Sequence, residues 1–118
     1  MNVARGDVIL VDFPFASGAS QKLRPAVVVQ SDAYNRRLAT TILAPITSQT
    51  KHLNELTQVG VDPATADGAA SGLLKHSAIK CENLATVETR LIRRKIGVLA
   101  APLIAQLEAA LKQALALS

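Results

Sequence analysis

Three polar side chains stand out because each lies where an apolar, strand-like run begins or ends. Arg24 comes before the run 26–29, and Thr47 and Ser48 follow the run 40–46. An arginine presents a planar fork of donors, remains charged at any working pH and can grip a phosphate through more than one oxygen. If the two runs are neighbouring strands, the guanidinium and the hydroxyls can meet at their ends, an arrangement that suits the capture of a phosphate.

A structural role for the same residues stays open at this point. Arg24 could pair with Asp7 or Asp12, which flank the first apolar run of the chain, and Thr47 could simply end a strand. Taken alone, the spacing of these residues favours the structural role over a catalytic one. The choice between the two roles therefore depends on what else the chain offers.

A cluster of basic residues follows later in the chain and consists of Arg90, Arg93, Arg94 and Lys95. Its simplest interpretation is a solvated turn before the last elements of the fold. Its functional interpretation is a surface that steers phosphates electrostatically. The sequence slightly favours the turn.

Other common chemistries lack the residues that they require. His52 and His76 are far apart and have no partner at the spacing of metal ligands, so we expect no metal site. Cys81 is the only cysteine and has no candidate histidine beside it, which predicts a buried and inert thiol. Neither a Walker-type nor a dinucleotide-binding glycine pattern occurs, so no cofactor is expected.

Length and composition predict one globular domain. The chain has 118 residues, 49% of them hydrophobic, and we assign residues 1–118 to a single domain. One cysteine, no apolar signal core and no stretch long enough for a bilayer predict a cytoplasmic protein without membrane contact. The net charge of +4 fits a polyanion partner such as RNA, or an ordinary basic surface, equally well. Aromatic residues, at 3%, are too few for RNA binding through stacked rings.

Hydrophobic patterning predicts short strands in the first half of the chain. The runs 8–11 and 26–29 are the clearest, and the second is continuous enough to be buried on both faces. We place Pro25 at the first residue of its strand, where its missing N–H costs least. In the next strand, 40–46, Pro45 marks an edge or a bulge.

The second half is patterned less clearly until its end. Residues 53–59 could form an edge strand, and the small residues of 61–71 indicate a mobile loop. Residues 73–87 hold one or two short strands, with Ile79, Cys81, Leu84 and Val87 facing inwards. Residues 102–117 have the period of a helix, with an apolar stripe of Leu103, Leu107, Ala110, Leu111, Ala114 and Leu115. Short strands followed by one helix predict a small barrel with the helix packed on it.

At these motifs the chain resembles the MazF/PemK group of toxin ribonucleases from bacterial toxin–antitoxin systems. The resemblance runs through four ordered blocks, at 5–15, 22–32, 41–48 and 72–87, and continues through 95–99 into the final helix. It implies a mainly β fold with a C-terminal helix, the SH3-like small barrel of the MazF/PemK/CcdB-like toxins, assembled as a homodimer. It implies a metal-independent, sequence-selective cut in single-stranded RNA or mRNA. It also implies a cognate antitoxin, with operator DNA bound mainly through that antitoxin.

The resemblance also assigns roles to residues at matching positions. Arg24 corresponds to the catalytic arginine, Thr47 to its hydroxyl partner, and Ser48 assists. An arginine is a poor general base because its pKa exceeds about 12, so we assign Arg24 to charge stabilisation rather than to proton transfer. The implied substrate-binding residues are Phe15, Ser17, Lys22, Gln49 and Asn83.

The chain departs from the family pattern at positions that resemble RNA contacts. The loop 18–21 lacks the acidic residue that many relatives carry before the arginine, and Asn83 and Ala85 stand where many relatives have glutamine and arginine. These changes leave the cut sequence open. Two alternatives also stay open. One is a non-catalytic toxin of the same fold that inhibits DNA gyrase through the end of its helix, and the other is a degenerate toxin kept as a binding module.

Overall fold

The computed structural model describes residues 2–12 and 23–118. The strands are β1 (Asp7–Asp12), β2 (Leu23–Val28), β3 (Thr40–Thr47), β4 (Gln58–Val61), β5 (Ser77–Lys80), β6 (Ala85–Glu88) and β7 (Ile92–Val98). The helices are α1 (Asp32–Asn35), α2 (Ala66–Ala69) and α3 (Ala101–Leu115). The strands pair in the order β4-β5-β3-β2-β1-β7, with β6 also on β3, and every pairing is antiparallel. The expected class, mainly β with a terminal helix, is confirmed.

The run 26–29 is buried on both faces, as its continuous apolar pattern predicts. Val27 and Val29 pack into a hydrophobic cluster that also receives α3, whereas Ala26 and Val28 pack into a second cluster on the opposite face. This division follows from the period of two that side chains have along a strand. Strand β2 therefore lies between two cores.

Strand β3 changes partners along its length. On one side it pairs with β2, through Leu43 to Pro45. On its other side it pairs first with β6, as far as Leu43, and then with β5 from Ile46 onwards. Pro45 lies in the gap between these two partners, where a missing N–H leaves no ladder bond unmade. The sequence predicted an edge or a bulge at this proline, and the structure instead has a break between two partner strands of an internal strand.

The placement of Pro25 at the start of its strand was wrong, because Pro25 is the third residue of β2. Its tolerance has a specific cause. The N–H of Val29 donates to the carbonyl oxygen of Ile42 at 2.9 Å, and hydrogen-bonded pairs recur at alternate positions of an antiparallel ladder. The N–H at position 25 would therefore face position 46, and the β2–β3 ladder ends just before that point, at Ala26 and Pro45.

The segment that connects β2 to β3 is held by side-chain hydrogen bonds. The hydroxyl of Thr41 donates to Asn35 Oδ1 at 2.7 Å, and Gln30 Nε2 donates to the same oxygen at 3.0 Å. The Asn35 amide in turn donates to the carbonyl oxygen of Gln30 at 3.0 Å. Buried polar groups are thereby satisfied. This end of the β2–β3 pair is fixed by both core packing and polar contacts.

The prediction that the basic cluster forms a turn was wrong for three of its four residues, which lie on a strand. Residues 92–98 form β7, which pairs with β1 through a ladder with two irregularities. Arg93 lies 3.4 Å from Asp12 and Lys95 lies 3.1 Å from Asp7. The carboxylates that could have held Arg24 in a structural role are thus engaged by β7.

The middle of the chain is more ordered in its hydrogen bonding than its composition suggests. The predicted edge strand at 53–59 begins only at Gln58, and the predicted loop 61–71 contains α2. The Thr65 hydroxyl caps α2 by accepting the N–H of Gly68 at 3.0 Å. Two strands do lie within 73–87, and Ile79, Cys81 and Val87 are buried there, with Leu84 partly buried.

The terminal helix begins at Ala101, one residue before Pro102, and ends at Leu115. Its buried residues are Leu103, Leu107 and Ala110, which belong to the predicted stripe, whereas Leu115 is exposed. Ala116 then takes a left-handed conformation and closes the helix. Within residues 2–12 and 23–118, no helix has the length and apolar character needed to cross a membrane.

Candidate functional site

A cleft of about 480 Å³ opens at the point where β2 and β3 separate. Beyond Ala26 and Pro45 the two strands are no longer paired, and β3 continues alongside β5. The walls come from five strands, β1, β2, β3, β5 and β7, and from the segment before β5. The lining residues are Leu10, Arg24, Pro25, Ile46, Thr47, Ser48, Gly72, Leu73, Leu74, Lys75, Ser77, Arg94 and Ile96.

The cleft brings together the three residues whose types first suggested phosphate chemistry. Extending the β2–β3 register by two positions sets Arg24 opposite Thr47, and Ser48 follows directly. The Thr47 hydroxyl oxygen accepts the N–H of Gln49 at 3.1 Å, which leaves its own O–H able to donate to a ligand. Arg24 and Ser48 are exposed and Thr47 is half-buried, so all three are accessible from the opening.

The cleft carries a concentration of positive charge. Arg24, Lys75 and Arg94 line it, and within the described ranges it has no acidic lining residue. Sequence reasoning left Lys75 out, because a single lysine in a loop gives no signal. Arg94 was seen only as one member of a basic cluster. Its position opposite Leu10 on β1 is what brings it to the cleft.

One wall is formed by a segment that we call the strap, residues 70–75. The N–H of Val98 donates to the carbonyl oxygen of Ala70 at 2.9 Å, which fixes the strap to β7. At Gly72 φ is +73°, and a Cβ there would lie 2.0 Å from the carbonyl oxygen of Ile96. Only glycine permits this approach. The strap thereby presents Leu74, which is 95% exposed, at the rim of the cleft.

A second recess of about 350 Å³ adjoins the cleft, and Thr47 lines both. Its other lining residues are Gln49, Lys51, His52, Gln58 and Lys80. Beside it, Gln58 Nε2 donates to Glu82 Oε2 at 2.8 Å. Burial acts to raise the pKa of Glu82, but hydrogen bonds from its own N–H and from Gln58 and Thr57 outweigh it and hold that pKa below its usual range.

The substrate-binding residues implied by the resemblance fall into three groups. Gln49 lines the second recess. Asn83 lines neither cavity, and its amide, oriented to satisfy its neighbours, accepts from Lys80 Nζ at 3.2 Å. Phe15, Ser17 and Lys22 lie outside the described residues. The structure therefore assembles Arg24, Thr47, Ser48 and Gln49 in one continuous depression, and their roles remain predictions.

Cys81 is buried, with 1% of its surface exposed, as expected of a structural thiol. Burial raises the pKa of this thiol to about 11, and the neighbouring Glu82 carboxylate adds to the effect. His52 lies at the second recess and His76 is exposed. In the described part of the chain, His, Cys, Asp and Glu side chains nowhere form a group of three that could hold a metal ion.

Comparison with known proteins gives consistent matches over nearly the whole chain. Residues 4–115 match a family described as PemK-like, MazF-like toxin of type II toxin–antitoxin system. Endoribonuclease EndoA of Bacillus subtilis (strain 168) is 32% identical over 118 residues, which cover 99% of this chain and 97% of the relative.

Solved structures with the same fold include several toxins. An endoribonuclease in complex with its cognate antitoxin, from a mycobacterial species, has a TM-score of 0.80 at 20% identity and covers 98% of this chain and 97% of its own. The Mycobacterium tuberculosis toxin MazF-mt6 has a TM-score of 0.76 at 25% identity, over 95% of this chain and 98% of its own. MazF from Deinococcus radiodurans has a TM-score of 0.75 at 18% identity, over 99% of each chain.

Proposed function

The chain belongs to the PemK-like, MazF-like toxins of type II toxin–antitoxin systems, and from this membership we propose that it is an endoribonuclease that cuts single-stranded RNA at selected short sequences. The observation that carries the proposal is the cleft in which Arg24 meets the hydroxyls of Thr47 and Ser48. The name of the EndoA relative, an endoribonuclease at 32% identity, supports the same reaction.

The reaction that fits these groups uses a nucleophile supplied by the RNA. The ribose 2′-oxygen attacks the adjacent phosphorus, the bond from phosphorus to the 5′-oxygen breaks, and the proton lost from the 2′-hydroxyl is balanced by one gained at the 5′-oxygen. The products are a 2′,3′-cyclic phosphate and a 5′-hydroxyl. Arg24 stabilises the negative charge that develops on the phosphoryl oxygens, and the free O–H of Thr47 donates to one of them. No step of this scheme requires a metal ion.

Sequence selectivity has a natural location beside the reacting groups. The second recess shares Thr47 with the cleft and adds amide and ammonium groups from Gln49, Gln58 and Lys80. Such donors and acceptors suit the hydrogen-bonding edges of an unpaired base, which is how single-stranded RNA is usually read. In this scheme the cleft holds the scissile phosphate while the second recess reads a neighbouring base.

The family membership also bears on partners. We propose that a cognate antitoxin neutralises the protein by laying an acidic segment over the basic cleft, where Arg24, Lys75 and Arg94 provide the complementary charge. The same proposal includes a homodimer, cytoplasmic action on mRNA that inhibits growth, and contact with operator DNA mainly through the antitoxin.

The test incubates the purified protein with a long, mixed-sequence transcript in excess EDTA. We expect discrete fragments that end in 2′,3′-cyclic phosphates, and no cutting of a DNA strand of the same sequence, which lacks the nucleophile. Thr47→Val removes the hydroxyl and should slow cleavage by about a hundredfold. Thr86→Val is the matched control, because Thr86 is an exposed threonine on β6 that lines neither cavity. Intact RNA after incubation with folded wild-type protein would refute the proposal.

Inhibition of DNA gyrase, the alternative that the sequence left open, is not favoured. The relative that matches over nearly the whole chain is named an endoribonuclease. The groups for phosphate chemistry are also present together at the cleft, which an inhibitor acting through its terminal helix would not need.

A further inference from the structure

The floor of the cleft contains a row of side chains that crosses three neighbouring strands. On β1, Leu10 lies opposite Arg94 of β7 on one side and opposite Pro25 of β2 on the other. Directly opposed residues of antiparallel strands share one face of a sheet, and these three residues all line the cleft. Arg94 therefore ends an apolar row on one face of the sheet. Arg24 precedes Pro25 and is not part of this row, since successive side chains of a strand alternate between faces, but it lines the same cleft.

Arg94 differs from the basic residues beside it. Arg93 contacts Asp12 at 3.4 Å and Lys95 contacts Asp7 at 3.1 Å, whereas Arg94 is exposed to the cleft. Among residues 2–12 and 23–118, the ion pairs do not include Arg94. The β1–β7 ladder shifts register between Ile92 and Arg94, and such irregularities re-aim side chains at the edges of functional sites.

We infer that Arg94 binds an RNA phosphate adjacent to the one that is cleaved and so positions the RNA chain across the floor of the cleft. This inference rests on the proposed ribonuclease function. Neighbouring strands are about 4.8 Å apart, so β2 and β7 are separated by roughly 10 Å across β1. Two arginines on strands so separated can hold the phosphates on either side of one nucleotide, whose sugar and base then lie over Leu10.

The inferred contact is to a phosphate that does not react. Its strength is therefore the same in the bound substrate and in the transition state, so the contact lowers KM and leaves kcat unchanged. Arg24, in contrast, acts on the charge that develops during the reaction and affects kcat. The two arginines of one cleft are thus distinguished by which kinetic constant each controls.

The experiment compares Arg94→Gln with Arg93→Gln, a matched control with the same chemical change at the next residue of β7. The substrate is an RNA oligonucleotide that carries a cut site selected by the wild-type protein from a mixed-sequence transcript. We expect Arg94→Gln to raise KM about tenfold, the effect of one lost charged hydrogen bond, and to leave kcat unchanged. The dependence of log(kcat/KM) on log salt should weaken by about 0.7, the value for one phosphate contact on a single strand.

Further variants separate a binding role from a structural one. Arg94→Lys keeps the charge and should restore the salt dependence and part of KM, and Arg93→Gln should change neither constant. Urea unfolding of each variant checks its fold, and Arg94→Ala replaces Arg94→Gln if the latter does not fold. A fall in kcat at constant KM, or unchanged KM and salt dependence, overturns the role of Arg94. A wild-type protein that cuts no RNA contradicts the proposed function itself, so the two failures are distinguishable.

Discussion

The two ends of the β2–β3 pair are built from the same strands, yet one end is a buried core and the other an open cleft. At the closed end, residues 26–28 of β2 face residues 43–45 of β3, and Ala26 to Val28 are fully buried. At the open end, Arg24 and Thr47 continue the same register without pairing, and both are accessible to solvent. The protein thus separates a stabilising region from the proposed reactive region along a single pair of strands.

The proposed reactive groups begin where the β2–β3 backbone ladder stops. Polar side chains at the open end are not needed for the core, so they can be replaced without creating a cavity. Side chains at the closed end touch no ligand surface, so their replacement should change stability alone. Substitutions at each end, and at the strap that forms one wall of the cleft, test this separation.

The largest effect is expected at the open end. Arg24→Gln should lower kcat for RNA cleavage by about a thousandfold, close to 4 kcal/mol of transition-state stabilisation, because the developing phosphoryl charge loses its partner. The free energy of unfolding, measured with urea, should stay within about 0.5 kcal/mol of the wild type, since an exposed side chain is replaced. Arg36→Gln, at an exposed arginine outside both cavities, is the control. A large loss of stability on replacing Arg24 would favour a structural arginine.

The reciprocal effect is expected at the closed end. Leu43→Ala should lower the free energy of unfolding by about 3 kcal/mol, because Leu43 is fully buried and its truncation leaves a cavity. Leu56→Ala, at a leucine that is 70% exposed, should leave stability nearly unchanged. Urea unfolding measures both variants. Cleavage per folded molecule should match the wild type, and a selective loss of activity in Leu43→Ala would break the separation of the two regions.

A third substitution should affect both regions at once. Gly72→Ala forces a side chain into a left-handed conformation and against the carbonyl oxygen of Ile96, so we expect a loss of about 2 kcal/mol in unfolding free energy. The strap must shift to relieve the contact, and cleavage should fall as well. Gly60→Ala is the control, because its added Cβ meets side chains rather than backbone, Leu53 at 3.3 Å and His76 at 3.7 Å. A Gly72→Ala variant with wild-type stability and activity would show that the strap is not fixed at this glycine.

The smallest effect concerns pH and the buried thiol. The pKa of Cys81 is about 11 in the folded protein against 9.0 ordinarily, so the unfolded chain loses this proton first as pH rises. Stability from the neutral thiol is complete below pH 9 and is lost between about pH 9 and 11, by roughly 1 kcal/mol at pH 10. Raising the pH from 7 to 10 should lower the unfolding free energy of the wild type by that amount relative to the unfolding free energy of Cys81→Ala. Measuring both proteins at the two pH values checks this difference. A difference independent of pH would contradict the assigned burial.

Patterns dominated by apolar residues could be predicted from the sequence. The run 26–29 and the helix of 102–117 could both be predicted, because burial requires apolar residues in a regular pattern that extends over many neighbouring positions. Arg24 and Thr47 were brought to the same cleft for a related reason, since strands close in sequence tend to pair. Their roles came from the family resemblance, because spacing alone left a structural role open.

Strand β7 was not predicted from the sequence, because the charge of its residues is a stronger pattern there than their burial. Arg93 and Lys95 are accommodated on a strand by Asp12 and Asp7 of β1, carboxylates that are distant in sequence. Arg94 reaches the cleft through the same long-range pairing. Similarly, Pro25 is tolerated inside β2 because the pairing between β2 and β3 ends at the next residue, Ala26. No local sequence pattern shows where that pairing ends.

Pro25 biases the chain towards the open cleft through its covalent structure. Proline has no N–H, so positions 25 and 46 can form at most one of the two hydrogen bonds of a ladder pair, and a closed form that excludes a ligand is disfavoured. Apparent affinity is then reduced little by a population of closed molecules. Substitutions elsewhere can make the protein more or less stable without retuning that population, which leaves the rest of the sequence free to diverge while the binding surface stays ready.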